Sequence, residues 1–163
     1  MALIGLFDIF VGLMAHTFSN LLYHVVFSTK ERVPMIGDEL RERLYPYIGG
    51  IIRGEGGALL EIGGMPDHVH LLAKFKTDVA VSVMVQKIKG KSSKWINDLP
   101  DPSARFQWQE GYWISSVSQS VADRVRRYIR NQEEHHRRVS FKDELIALLK
   151  KNGIPYDEKY MLG

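Results

Sequence analysis

Apolar and polar residues form two kinds of pattern along the chain, and together these patterns predict four strands and four helices. Short runs rich in β-branched and aromatic residues are typical of strands, whereas apolar residues spaced by three or four positions are typical of helices. Glycine-rich turns and prolines separate these segments. The predicted strands are 21–30, 58–64, 68–75 and 111–117. The predicted helices are 38–52, 79–99, 120–138 and 141–151.

These elements follow the order β-α-β-β-α-β, with helices after the last strand. That order is typical of the ferredoxin-like split βαβ pattern, an α+β fold with a four-stranded antiparallel sheet and two helices on one face. The other face then remains available for a ligand, a partner or the extra C-terminal helices. Because a fold alone does not define a function, the function has to be sought in particular side chains.

An apolar stretch at residues 2–15 precedes this pattern. It falls short of the roughly 20 residues that span a bilayer. It also carries Asp8 and lacks a basic leading segment, which makes it a poor signal peptide. We expect residues 1–18 to form an apolar helical extension at a dimer interface and residues 19–140 to form the functional domain. Residues 141–163 are expected to form a C-terminal helix and tail.

The composition is that of one globular domain, with 163 residues of which 45% are hydrophobic and 25% charged. Cysteine is absent. Disulfides, thiolate catalysis and Cys-ligated metal sites are therefore excluded, and a cytoplasmic location is expected. Residues 1–80 carry a net charge of −2 and residues 81–163 a net of +5. The basic second half fits a polyanion such as nucleic acid, although an ordinary solvated surface explains it equally well.

Two histidines on the third predicted strand form the sharpest local motif. His68 and His70 flank Val69, and residues two apart on a strand point to the same face. Their backbones are then roughly 7 Å apart, from two rises of ~3.3 Å, so both rings can reach one divalent metal ion. The alternative is that they are two polar residues on an open sheet face.

Tyr128 and Gln132 lie four residues apart on the helix that is predicted to begin with Ser120 as its N-cap, so their side chains share one face. A phenol with a pKa of ~10 is a weak nucleophile, but it becomes useful beside a metal that binds the phosphate under attack. Gln132 could then supply a third metal ligand. The alternative is an ordinary packing tyrosine. His135 and His136 are not expected to chelate one ion together, because adjacent helical side chains diverge by ~100°.

Basic residues cluster near these motifs in the second half of the chain. Lysines and arginines can neutralise phosphates, and the neighbouring tryptophans and tyrosines could stack on unpaired bases. The candidate DNA-binding residues are Lys87, Lys89, Lys91, Lys94, Arg124, Arg127 and Arg130.

Four segments in this order resemble the single-tyrosine transposases of the HUH type (His–hydrophobe–His), a group that includes the REP-associated tyrosine transposases. They are YHVVFSTKER at 23–32, GMPDHVHLL at 64–72, KIKGKSSKW at 87–95 and YIRNQEEHH at 128–136. The resemblance implies that Tyr128 is the nucleophile and that His68, His70 and Gln132 bind Mg²⁺ or Mn²⁺.

The same resemblance implies the reaction and the partners. Family members cleave and rejoin single-stranded DNA through a 5′-phosphotyrosine, bind hairpins, act as homodimers and need no nucleotide cofactor. A prokaryotic cytoplasmic enzyme without membrane contact is expected.

Two other interpretations remain open from the residues. One is a non-catalytic ferredoxin-like module that binds nucleic acid without cutting it. The other is a domesticated relative that keeps the same residues but processes repeats. A two-histidine phosphoesterase is disfavoured, because a second His-x-Ser/Thr repeat is missing.

Overall fold

An antiparallel sheet of four strands organises the described part of the chain. The computed structural model describes residues 18–100 and 105–158. The strands are β1 Leu22–Ser28, β2 Ala58–Met65, β3 His68–Lys74 and β4 Trp113–Val117. Their spatial order is β2-β3-β1-β4, and every neighbouring pair is antiparallel. The predicted ferredoxin-like α+β fold is therefore confirmed.

Five α-helices accompany the sheet in the described residues. They are α1 Asp38–Gly54, α2 Val81–Asn97, α3 Ala122–Arg130, α4 Gln132–His136 and α5 Phe141–Lys151. The bounds of α5 match the prediction, and its first turn is capped by Ser140, whose hydroxyl accepts a hydrogen bond from the backbone N–H of Asp143.

The single long helix predicted for residues 120–138 is wrong. The segment begins with a 3-10 turn over Gln119–Val121, continues as α3, and is interrupted at Asn131 before α4 begins. Asn131 leaves the helical region at φ −96° and ψ 24°, in keeping with the low helix propensity of asparagine. Ser120 is not the helix N-cap, because Val121 occupies that position and Ser120 instead contacts the hydroxyl of Ser118.

One face of the sheet packs against α1 and α2. Alternate residues of β1 and β3 enter this core, where apolar side chains of both helices cover them. The buried contributors include Val25, Phe27, Val69 and Leu71 from the sheet, Ile48 and Ile52 from α1, and Met84 and Ile88 from α2.

The opposite face is covered by the C-terminal helices. Leu22 and Leu72 pack against Ala122 and Ile129 of α3. Val26 and Trp113 pack against the α5 residues Phe141 and Leu149. His68 and His70 belong to this second face, so they lie between the sheet and α3–α5 rather than on an open surface.

Helix α3 sits unusually close to β2. A Cβ atom at Gly63 would lie 2.2 Å from the backbone oxygen of Ile129, so only glycine permits this approach. Arg126 donates to the backbone oxygen of Leu60 at 3.0 Å, and Arg130 pairs with Glu61 at 2.6 Å. These contacts place the neighbouring residue Tyr128 above β3.

The predicted N-terminal extension at residues 1–18 lies, except for Phe18, outside the described residues, as does the end of the predicted tail at residues 159–163. No helix in the described ranges is long and apolar enough to cross a membrane.

Candidate metal and tyrosine site

The two histidines of β3 lie side by side on the face covered by α3–α5. Their ring centroids are 5.3 Å apart, and both side chains are almost fully buried, with 1% and 0% of their surface exposed. His68 Nδ1 lies 2.7 Å from a carboxylate oxygen of Asp67, and His70 Nδ1 lies 3.0 Å from His24 Nε2. Both Nε2 atoms lack a hydrogen-bond partner among the described residues.

Tyr128 lies next to these rings in the same chain. Its ring centroid is 5.9 Å from that of His70 and 6.1 Å from that of His24. The structure therefore brings the phenol beside the histidine pair within one subunit.

Tyr128 and Gln132 converge on one carboxylate even though the helix is interrupted between them. The Tyr128 hydroxyl and the Gln132 amide both donate to Glu144 Oε1, the amide from 3.0 Å. Gln132 is 1% exposed, and its own carbonyl oxygen has no hydrogen-bond partner among the described residues. That oxygen is therefore available as a ligand.

Glu144 is a central residue of the site that the sequence analysis missed. It lies on α5, one turn after the Ser140 cap, and is 2% exposed. A signal was present: Glu144 follows the buried Phe141 by three positions, so a charged residue occupies the apolar face of a short helix.

His136 is a second residue that the sequence analysis did not select. His68, His70, His136 and Glu144 each offer one ligand atom, and these four atoms all lie within 4.8 Å of one another. His135 is absent from this group, and its ring instead contacts that of Tyr128 with centroids 5.2 Å apart. Both imidazoles lie near Glu144, but on different oxygens: His135 Nε2 is 3.4 Å from Oε1, whereas His136 Nε2 is 3.0 Å from Oε2.

Burial sets the protonation states in this cluster. Burial lowers the pKa of His24 to about 3 and that of His70 to about 4, so both rings are neutral at pH 7. Burial would raise the pKa of Glu144, but the nearby His70 and the hydrogen bonds from Tyr128 and Gln132 outweigh burial and hold that pKa well below its usual range. Burial and then the charge of Glu144 raise the pKa of Tyr128 far above its ordinary value. The resting phenol is therefore protonated, and the buried carboxylate charge of Glu144 lies beside the neutral imidazole of His70.

A basic cavity of about 470 Å³ opens beside Tyr128. Arg124 and Arg127 line it, are exposed, and form no ion pair within the described residues. Arg130 points elsewhere, toward Glu61 of β2. Two of the three predicted arginines therefore border the tyrosine.

The four predicted lysines lie on α2, on the opposite side of the sheet from Tyr128. Each has partners within the chain: Lys87 and Lys91 pair with Glu55, and Lys94 pairs with Asp98. Lys89 donates to three consecutive backbone oxygens at residues 109–111. The structure does not bring these lysines to the site, and their contact with DNA stays a prediction.

A ferredoxin-like sheet that carries a His-x-His pair beside a helix-borne tyrosine corresponds to the single-tyrosine, HUH-type class of transposases. A family profile described as "Transposase IS200 like" matches residues 17–132. The chain belongs to this family of IS200-like transposases, which confirms the resemblance that the motifs indicated.

Individual relatives agree with this assignment. The transposase of insertion sequence element IS200 from Salmonella typhimurium is 28% identical over 126 residues, which cover 74% of this chain and 82% of that protein. The ISDra2 transposase TnpA of Deinococcus radiodurans is 26% identical over 120 residues, which cover 71% and 86%.

Two solved structures are also similar. A protein of Deinococcus radiodurans R1 described as a transposase has a TM-score of 0.56 at 27% identity, and the match covers 73% of this chain and 95% of that chain. A REP-associated tyrosine transposase bound to a REP hairpin has a TM-score of 0.58 at 14% identity, with coverage of 76% and 72%. The second similarity concerns the fold alone.

Proposed function

We propose that this IS200-like transposase cleaves and rejoins single-stranded DNA through a covalent phosphotyrosine on Tyr128. The observation that carries the proposal is the position of the phenol, with its ring centroid 5.9 Å from that of His70 and its hydroxyl bonded to Glu144. A tyrosine hydroxyl, a carboxylate and two unpartnered imidazole nitrogens thus lie close together, and a basic cavity opens beside the tyrosine.

In the cleavage step, the Tyr128 oxygen attacks a backbone phosphorus, the bond from phosphorus to the 3′-oxygen breaks, and the 3′-oxygen takes up a proton from solvent to leave as a hydroxyl. The product is a 5′-phosphotyrosine. Glu144 already accepts the hydrogen bond of the phenol, so its carboxylate is placed to receive the proton that the phenol loses. In the joining step, a 3′-hydroxyl loses its proton to solvent and attacks the phosphotyrosine, and the released Tyr128 oxygen regains its proton from Glu144. One phosphodiester is exchanged for another, so no nucleotide cofactor is required.

The residues present fit a divalent metal ion. The unpartnered Nε2 atoms of His68 and His70 and the unpartnered carbonyl oxygen of Gln132 are donors of the type that such an ion binds. A bound cation would neutralise charge that develops on the attacked phosphate. Mg²⁺ or Mn²⁺ is the ion that the family resemblance implies.

Arg124 and Arg127 are the side chains best placed to hold the DNA backbone near Tyr128, because they line the same cavity and have no acidic partner among the described residues. A hairpin substrate is supported by the similar REP-associated tyrosine transposase, which was solved with a REP hairpin. A homodimer and a location in the prokaryotic cytoplasm are part of the same proposal, and they rest on the family resemblance.

The proposal is tested with DNA hairpins that carry randomised single-stranded flanks, incubated with the full chain and Mn²⁺. A 5′-phosphotyrosine retains the 3′ fragment, so a 3′-labelled strand should enter a denaturation-resistant protein adduct and a 5′-labelled strand should be released. Tyr128→Phe and His68→Ala should abolish the adduct, whereas Tyr156→Phe, which changes a tyrosine outside the site, should retain it. An adduct that persists in Tyr128→Phe would falsify the assignment of the nucleophile. Binding without an adduct in any divalent metal would instead identify a binding module.

A further inference from the structure

We propose that, in the DNA-free protein, His68, His70, His136 and Glu144 together bind one divalent transition-metal ion of the Zn²⁺ or Co²⁺ type. This site rests on the histidine pair of the proposed function and adds one ligand each from α4 and α5. It requires neither DNA nor the tyrosine reaction, so it can be tested separately.

Two of the three separations from the carboxylate oxygen are close to those of a tetrahedral ion. Metal–nitrogen bonds of ~2.0–2.1 Å place neighbouring ligands of a tetrahedral ion about 3.3 Å apart. Oε2 of Glu144 lies 3.0 Å from Nε2 of His136, 3.4 Å from Nε2 of His70 and 3.9 Å from Nε2 of His68. All four ligand atoms lie within 4.8 Å of one another, so the cluster would contract around an ion bound at its centre.

The same four atoms lack hydrogen-bond partners. Nε2 of His68, His70 and His136 and Oε2 of Glu144 are all buried and unpaired within the described residues. Buried polar atoms normally have a hydrogen-bond partner, and even one buried polar atom without a partner lowers the stability of the fold. A cation bound between these four unpaired atoms would explain all of them together.

The far side of each imidazole is held in the way that metal-bound histidines require. His136 Nδ1 lies 2.8 Å from the backbone oxygen of Val139, which can only accept, so Nδ1 carries the proton and Nε2 presents a lone pair. His68 Nδ1 faces the carboxylate of Asp67 in the same manner. His70 Nδ1 faces His24. Such outer hydrogen bonds orient the ring and select the nitrogen that binds metal.

The ligand set selects the class of ion. Three imidazoles and one carboxylate in a tetrahedral arrangement suit Zn²⁺ and Co²⁺. Mg²⁺ prefers six oxygen ligands and gives up its water reluctantly. The bound ion would connect β3 to α4 and α5. Because Glu144 uses its other oxygen for Tyr128 and Gln132, the same ion would also hold the tyrosine side of the site in place.

The test is a titration of chelator-treated full chain with Co²⁺, followed by its visible absorption, without DNA. We expect one tetrahedral Co²⁺ per chain, displaced by Zn²⁺ but not by an equal concentration of Mg²⁺, and a Tm that rises with Zn²⁺. His136→Ala and Glu144→Gln should each weaken Co²⁺ binding by about tenfold or more. His135→Ala is the comparison at the neighbouring helical position; because His135 Nε2 lies 3.4 Å from Oε1 of Glu144 and is not a proposed ligand, this substitution should weaken Co²⁺ binding less than His136→Ala does.

Wild-type affinity and spectrum in both His136→Ala and Glu144→Gln would overturn the four-ligand site and leave the histidine pair alone as the binding group. If these variants do not fold, the wild-type chain alone tests the proposal. The proposal is overturned if the wild-type chain gives no tetrahedral Co²⁺ spectrum and its Tm does not change with Zn²⁺. Tyr128→Phe removes none of the four proposed ligands and should still give the tetrahedral Co²⁺ spectrum. Failure of the phosphotyrosine reaction would therefore not be confused with failure of this metal site.

Discussion

The hydroxyl of Tyr128 donates its hydrogen bond to the buried carboxylate of Glu144, which belongs to a different helix. Gln132 donates to the same oxygen from 3.0 Å, so one carboxylate joins α3, α4 and α5 above β3. In this arrangement the phenol keeps its proton, because burial and the charge of Glu144 raise its pKa. Attack on a phosphate therefore requires either transfer of that proton to Glu144 or separation of the two groups.

Removal of the Tyr128 hydroxyl alone should destabilise the protein. Tyr128→Phe deletes a hydrogen bond to a buried charged group, and we expect the free energy of unfolding to fall by about 1.5–3 kcal/mol. Urea denaturation followed by circular dichroism measures this loss. Tyr156→Phe changes an exposed tyrosine outside the site and should alter stability by less than about 0.5 kcal/mol. Equal effects of the two substitutions would mean that Glu144 does not organise the helices through Tyr128.

The close approach of α3 to β2 can be tested at Gly63. Gly63→Ala would place a Cβ atom 2.2 Å from the backbone oxygen of Ile129, and backbone cannot yield as a flexible side chain does. We expect a loss of about 1–3 kcal/mol together with reduced DNA cleavage, because Tyr128 follows the displaced helix. Gly90→Ala on α2 is the matched control, since nothing lies within 4 Å of its Cβ position. There alanine should stabilise the helix by up to about 1 kcal/mol.

The exposed arginines beside Tyr128 should account for much of the salt dependence of DNA binding. Arg124→Gln combined with Arg127→Gln would remove the two proposed phosphate contacts, so the slope of log Kobs against log salt should decrease by about 1.4 for single-stranded DNA. Fluorescence anisotropy between 50 and 300 mM salt (roughly the accessible range) measures this slope. Lys87→Gln combined with Lys91→Gln provides the comparison, and because both lysines already pair with Glu55 we expect a smaller change. The reverse ranking would place the DNA along α2.

A buried phenol outside the site predicts a loss of stability at high pH. Burial raises the pKa of Tyr45 to about 12, and its hydroxyl has no hydrogen-bond partner within the described residues. Because the pKa of a tyrosine in the unfolded chain is ~10, the stabilising contribution is complete below pH ~10 and is lost as the pH rises toward 12. In Tyr45→Phe, the fall in the free energy of unfolding at high pH should be smaller than in the wild type by about 1–2 kcal/mol. Denaturation curves at pH 9 and pH 11 (about one unit either side of the unfolded pKa) compare the variant with the wild type, and identical curves would contradict the prediction.

Much of the fold was readable from local patterns. The four strands, the helices α1 and α2 and the bounds of α5 follow from side-chain periodicity and from turn and cap residues, which act over a few neighbouring positions. The shared face of His68 and His70 follows from the two-residue repeat of a strand in the same way. The interruption at Asn131 was missed because one weak helix former does not cancel the periodicity around it.

The amino-acid sequence by itself determined which elements form and which residue types could support tyrosine and metal chemistry. Only the tertiary structure decided which face of the sheet α3–α5 cover and how deeply the histidines are buried. It placed Glu144 and His136 next to His68 and His70. It also placed the lysine run behind the sheet, away from Tyr128. These outcomes depend on contacts between residues far apart in the chain. The packing of several apolar faces at once selects such contacts, and periodicity within a single segment carries no information about them.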